Sequence, residues 1–217
     1  MSPKTLPEVT VRAARPDDAP LCGQICYQAF LTINTAHGFP CDFPGPEAAV
    51  GILTGMFSDP GFYCVVAEIE GRVVGSNCLD ERSIISGVGP ITVDPSAQNR
   101  RVGRKLMDAV LDRAREQRAA GVRLVQAAFH TRSLSLYAGL GFEIREPLAC
   151  MQGRTKQREV AGCKVRPATG HDVEACKALS HRVHGFDRGR ELHAALHEGT
   201  AIVVEREGRV TGYSNVL

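Results

Sequence analysis

The chain has 217 residues, 43% hydrophobic and 23% charged, with a net charge of +2. That is apolar material enough for a sizeable core, and a nearly neutral chain has no overall field to draw nucleic acid or a membrane surface, so any anion site has to be local. No run of about 18 apolar residues could span a bilayer, and the opening MSPKTLPEVT lacks the apolar core of a secretion signal, so a cytoplasmic protein with reduced thiols is expected.

In chain order, Val9–Ala14 alternates like a short strand. A helix follows, capped at Asp17 or Asp18, with Leu21, Ile25 and Phe30 along one stripe. The Gly- and Pro-rich stretch 33–46 reads as a loop, and Pro46–Phe57 as a second helix with proline in its first turn. Two β-rich runs between Phe62 and Leu79 flank Glu70-Gly71, a hairpin signal. Val88–Val93 reads as a strand. A long helix from Val102 carries Val102, Leu106, Val110 and Ala114 on one face and is expected to stop at Gly121. Val122–Phe129 reads as a buried strand parallel to Val88–Val93, since a helix joins them. A short helix ends near Gly141, and Phe142–Gly153 reads as a last strand. This order gives the α/β (or α+β) class, a mixed sheet with helices on its faces.

The chain also repeats itself. Val11-Arg12, Asp18 and Cys22 return as Val165-Arg166, Asp172 and Cys176, and VVAEIEGRVVG from Val65 returns as IVVEREGRVTG from Ile202. The reading is a complete domain over residues 1–155 and a partial second copy over 156–217, without an equivalent of Pro90–Leu111. The cysteines form no CxxC pair, and Cys22 and Cys26 read as small apolar side chains. His193 and His197 stand four apart but lack the glutamate of a zinc hydrolase, so no metal is expected.

The chemistry is concentrated in PITVDPSAQNRRVGRKLM. Backbone N–H groups at a helix start have no partner within the helix, and the helix dipole adds positive charge there. The loop Gln98, Asn99, Arg100, Arg101, Val102, Gly103 and Arg104 is therefore a candidate anion cradle, with Gly103 allowing close approach and arginines adding charge-assisted bonds. A P-loop and a three-glycine dinucleotide fingerprint are both absent.

This segment resembles the acetyl-CoA loop [QR]-x-x-G-x-[GA] of the GCN5-related N-acetyltransferases (GNAT), matching at Val93, Pro95, Gln98 and Gly103 and departing at Arg101. A second stretch, HTRSLSLYAGLGF, is similar to another motif of that superfamily at Ser133, Leu136, Tyr137, Leu140, Gly141 and Phe142, with His130 where asparagine is usual. The resemblance implies a mostly antiparallel sheet with a central parallel pair splayed for acetyl-CoA and helices on both faces. It places the diphosphate on Gln98–Arg104, the pantetheine arm along Ile91, Thr92 and Val93, and His130 and Ser133 beside the cofactor. Leu124–Phe129 would be the other strand of the splay. Acetyl-CoA would be a cosubstrate, with no metal.

The implied reaction moves an acetyl group to a primary amine directly, in a ternary complex. An alkylammonium has a pKa of about 10.4, so a base helps to carry its proton away. Tyr137 is implied as the acid that protonates the leaving thiolate. Glu81 is a candidate base, with Asp80 and Glu68 as others. Phe39 and Phe43 are expected to line the pocket for a small-molecule or peptide amine. A homodimer is a further expectation, with neither nucleic acid nor membrane as partner. The alternative reading is a non-catalytic acyl-CoA-binding module.

Overall fold

The computed structural model describes residues 8–149 and 159–215, in two compact units. The first runs to Phe142 except for residues 82–84; those three and the chain from Glu143 onward make the second.

In the first unit the order is β1 (Val9–Ala13), α1 (Ala19–Ala36), α2 (Pro46–Ser58), β2 (Phe62–Ile69), β3 (Arg72–Asp80), β4 (Ile85–Val88), β5 (Thr92–Val93), α3 (Val102–Glu116), β6 (Gly121–Arg123) and α4 (Thr131–Ala138). The sheet order is β1-β2-β3-β4-β6, with β5 also on β3. All pairs are antiparallel except β4 with β6. This is the mixed, mostly antiparallel sheet expected from the sequence. Glu70 and Gly71 turn the β2–β3 hairpin with φ 51° and 74°, a left-handed pair that fits the strand twist.

Strand alternation sends Val65, Ala67 and Val74 to one face, where the α3 stripe Leu106, Met107, Val110 and Ala114 covers them. Cys64, Val66 and Cys78 point the other way, against Ala19, Cys22 and Cys26 of α1 and Leu53 of α2. Helices therefore cover both faces. The buried thiols fill space there, and burial pushes Cys22 and Cys26 up to about 12, so they stay protonated and inert.

Four boundaries differ from the sequence reading. Helix α1 continues to Ala36, so the loop starts at His37 rather than Ile33: the Asn34 carbonyl accepts from the N–H groups of His37 and Phe39, which closes the helix end. Helix α3 ends at Glu116, not at Gly121; Arg118 takes the left-handed turn at φ 55°, and Gly121 opens β6. The strand read over Val88–Val93 is two pieces separated by a cis Gly89-Pro90 bond, and proline brings no ladder donor. The parallel pairing lies at Ile85↔Gly121, Ser86↔Val122 and Gly87↔Arg123, ahead of the residues read as splayed, and Leu124–Phe129 is not strand. Phe142–Ala149 forms no strand, and the rest of that expected strand lies outside the described residues.

The second unit contains β7 (Lys164–Pro167), α5 (Val173–His184), α6 (Gly189–His197), β8 (Ala201–Arg206) and β9 (Arg209–Asn215), in an antiparallel sheet β7-β8-β9. It repeats a detail of the first. Arg12 bonds both Asp18 oxygens at 2.7 and 2.9 Å and Glu68 at 2.8 Å; Arg166 bonds both Asp172 oxygens at 2.8 and 2.7 Å and Glu205 at 2.6 Å. Each aspartate also accepts a backbone N–H, from Arg15 or Thr169, where the chain turns into a helix. Both hairpins shift register beside the glutamate, at Ala67/Glu68 and Val204/Glu205.

Candidate active site

The break after Val88 creates the site. Upstream, β4 pairs with β6; downstream, β5 pairs back on β3 at Gly75↔Val93 and Ser76↔Thr92. No ladder joins Ile91–Val93 to Leu124–Phe129 among the described residues. Gly75 makes the β5 contact possible, because a Cβ there would stand 2.5 Å from the Thr92 carbonyl oxygen.

The loop after β5 enters α3 through two left-handed residues, Asn99 at φ 64° and Arg101 at φ 63°. Arg101 is the N-cap, and no side chain caps this end. The first-turn amides of Val102, Gly103 and Arg104 are thus free of a side-chain acceptor, as an anion site requires. Arg101 occupies the position that resembles a family glycine, and it adopts the conformation a glycine would take at lower cost. Gly103 has ordinary φ; a Cβ on it would meet Leu136 Cδ2 at 3.5 Å and Val93 Cγ2 at 3.8 Å. Its place is therefore in the packing of α3 against α4 and β5. Gln98 Nε2 donates to the Val93 carbonyl at 3.3 Å, and Arg132 of α4 donates to Gln98 Oε1. Arg104 lies 3.9 Å from Asp108 on the same helix.

Helix α4 supplies the second half of the site. His130 is its N-cap, Ser133 lies one turn in, and Tyr137 one turn further, on the same face. Ser133 Oγ lies 2.9 Å from His130 Nδ1 and 3.3 Å from Nε2. Burial raises the Tyr137 phenol above its ordinary pKa, while the Ser133 hydroxyl acts in the opposite direction. His130 is held below 6.5, first by burial and then by the charges of Arg132 and His37. The Tyr137 ring packs edge-on to Phe142, centroids 6.0 Å apart.

The remaining expected residues separate. Phe39 stacks on Phe129 with centroids 4.6 Å apart and planes 9° from parallel, and His37 stacks on the same ring at 4.9 Å. Phe43 meets Phe30 edge-on at 5.1 Å and packs against the α1–α2 core, so it anchors the loop. Glu81 is gripped by Arg113 of α3 at 2.7 and 3.1 Å, and that guanidinium also lies over the Tyr63 ring. Phe129 and Arg113 were missed in the sequence, because neither has a spacing signal; their partners lie in distant segments.

A split strand beside an uncapped helix mouth, in a mixed sheet covered on both faces, defines the GNAT fold. The chain belongs to the acetyltransferase (GNAT) family, whose model matches residues 30–142. Solved structures with the same fold include a transcriptional regulator from Bacillus halodurans C-125, at 17% identity and TM-score 0.54, covering 67% of this chain and 100% of that one. The aminoglycoside acetyltransferase AAC(6')-Iy with a CoA bisubstrate analogue is similar at 15% identity and TM-score 0.54, covering 68% of this chain and 99% of the other. An aminoglycoside acetyltransferase from an uncultured soil metagenomic sample matches at 18% and 0.50, with 68% and 97% covered. No curated protein matches the sequence. Among the described residues no group of side chains could hold a metal ion, and no helix is long and apolar enough to cross a membrane.

Proposed function

We propose that the chain is an acetyl-CoA-dependent N-acetyltransferase acting on a primary amine by direct transfer in a ternary complex. The observation that carries this is the uncapped mouth of α3, entered through two left-handed residues and set beside the free stretch of β5, in a chain of this family. The donor set fits a diphosphate: main-chain amides from Gln98 to Arg104, with Arg100, Arg101 and Arg104 at the same turn. Ile91, Thr92 and Val93 offer main-chain groups to an extended amide-bearing arm. Bound acetyl-CoA supplies an activated thioester. Tyr137 holds the proton that the departing sulfur takes, and burial keeps that phenol protonated at neutral pH. Phe39, with Phe129 and His37, forms an aromatic wall for a small-molecule or peptide amine.

Glu81 is the weaker candidate for base, because Arg113 occupies both its oxygens. The repeated arginine brace supports reading 159–215 as part of a second, incomplete copy of the domain.

Isothermal calorimetry with acetyl-CoA, followed by free-thiol release with a panel of amines, tests the function. Acetyl-CoA at 100 times its Kd adds about 2.7 kcal/mol of stability. Uptake of acetyl-CoA with thiol release for one amine class, lowered roughly 100-fold or more in Tyr137→Phe, is expected. Uptake without turnover for any amine points to the non-catalytic reading, and no uptake removes both.

A further inference from the structure

We propose that His130 is the base for the acceptor amine and that Ser133 links it to Tyr137, so that one face of α4 carries a proton from the amine nitrogen to the departing sulfur. This rests on the acetyl-transfer reading above.

Three observations converge. First, His130, Ser133 and Tyr137 share one helix face, and the serine hydroxyl lies within reach of the imidazole at 2.9 Å while acting on the phenol. A hydroxyl is donor and acceptor at once, so it can pass a proton in either direction. Second, His130 adjoins Phe129, the ring on which His37 and Phe39 of the α1–α2 loop are stacked, so the imidazole belongs to the wall proposed for the acceptor. Third, the carboxylate alternative is engaged: Glu81 is paired with Arg113. The charged and titratable groups acting on His130 are Arg132 on α4 and His37 at the end of α1, and both add to burial in favouring the neutral ring. A neutral imidazole near pH 7 is the form that accepts a proton.

The proton balance closes without any further reactant. An ammonium N–H bond breaks, its electron pair stays on nitrogen, and the proton goes to the imidazole. The phenol O–H breaks and its proton goes to the thiolate sulfur. The phenolate then takes the serine proton, and the serine takes one from the imidazolium. The second proton of the ammonium is released to solvent as the amide forms.

The test has a ligand-free arm and a kinetic arm. In the ligand-free protein, NMR titration of the His130 imidazole is followed in the parent, in Ser133→Ala and in Tyr137→Phe. The proposal expects the His130 midpoint to move by about 0.3 pH units or more in Ser133→Ala and to respond in Tyr137→Phe. In the kinetic arm, kcat/KM of the parent falls on the acid side as His130 gains its proton. That limb is expected to vanish in His130→Gln, with a loss of roughly 100-fold at pH 7 and acetyl-CoA affinity within about twofold. A His130 midpoint indifferent to both substitutions, or an acid limb retained in His130→Gln, overturns the relay. Failure of the parent to take up acetyl-CoA removes the acetyl-transfer reading, and with it the relay; an unresponsive titration in a parent that does take up acetyl-CoA removes the relay alone.

Discussion

Arg113 grips Glu81 through two nitrogens, at 2.7 and 3.1 Å, and so ties the middle of α3 to the end of β3. The glutamate side chain is 19% exposed and the arginine 32%, so water screens the pair and its worth is about 1 kcal/mol. Glu81→Gln and Arg113→Met are each expected to cost about that much in urea unfolding, and the double variant little more than either. Turnover at pH 7 should fall less than threefold in Glu81→Gln. A larger drop in kcat at unchanged stability would return Glu81 to the chemistry.

Arg101 holds φ 63° without the freedom of a glycine. Left-handed backbone costs an ordinary residue about 1 kcal/mol. Arg101→Gly is therefore expected to raise the unfolding free energy by up to about that amount, less the extra chain entropy glycine brings to the unfolded state. Chemical denaturation measures it, and a clear loss of stability would show that the arginine side chain makes up for its backbone.

Gly75 is constrained by space instead. An added methyl would stand 2.5 Å from the Thr92 oxygen, a backbone atom that cannot step aside alone. Gly75→Ala should cost about 1–3 kcal/mol and weaken acetyl-CoA binding by displacing β5. Calorimetry and a melting curve on the same sample check both parts.

The two arginine braces give a paired acid test. Asp18 and Asp172 are both drawn below the ordinary carboxylate range, chiefly by bonds from Arg12 and Arg166. A carboxylate with a lowered folded pKa contributes stability that is full above its unfolded pKa of about 3.9 and is lost as pH falls through the folded value. Stability should therefore decline on acidification below about pH 4, with a shallower decline in Asp18→Asn and in Asp172→Asn. Each substitution should also cost about 2 kcal/mol at pH 7, since it removes charge-assisted bonds at a helix entry. Unfolding free energies between pH 7 and pH 2 test this.

Much of this was readable because it is local. The α3 stripe Val102–Leu106–Val110–Ala114 and the Glu70-Gly71 turn express periodicities of a few residues, and both stand where the sequence put them. The repeat was also readable, down to the arginine and aspartate that form each brace. Strand extent was not. Val122–Phe129 has strand composition, yet only its first two residues pair with β4, because β4 itself ends at Val88 and its continuation turns to β3. Pairing partners are long-range, and composition is blind to them. The same holds for the site: the helix mouth and α4 motif stood out, whereas the stacking of Phe39 on Phe129 and the capture of Glu81 depend on contacts between remote segments.

The exchange of partners between Val88 and Thr92 has a kinetic corollary. Each piece of the strand already has a neighbour, so a ligand threading between Ile91–Val93 and Leu124–Phe129 breaks no ladder bond on its way in. Admission then requires no unzipping, and the association rate constant should follow solvent viscosity and ionic strength, with little sensitivity to urea well below the unfolding transition.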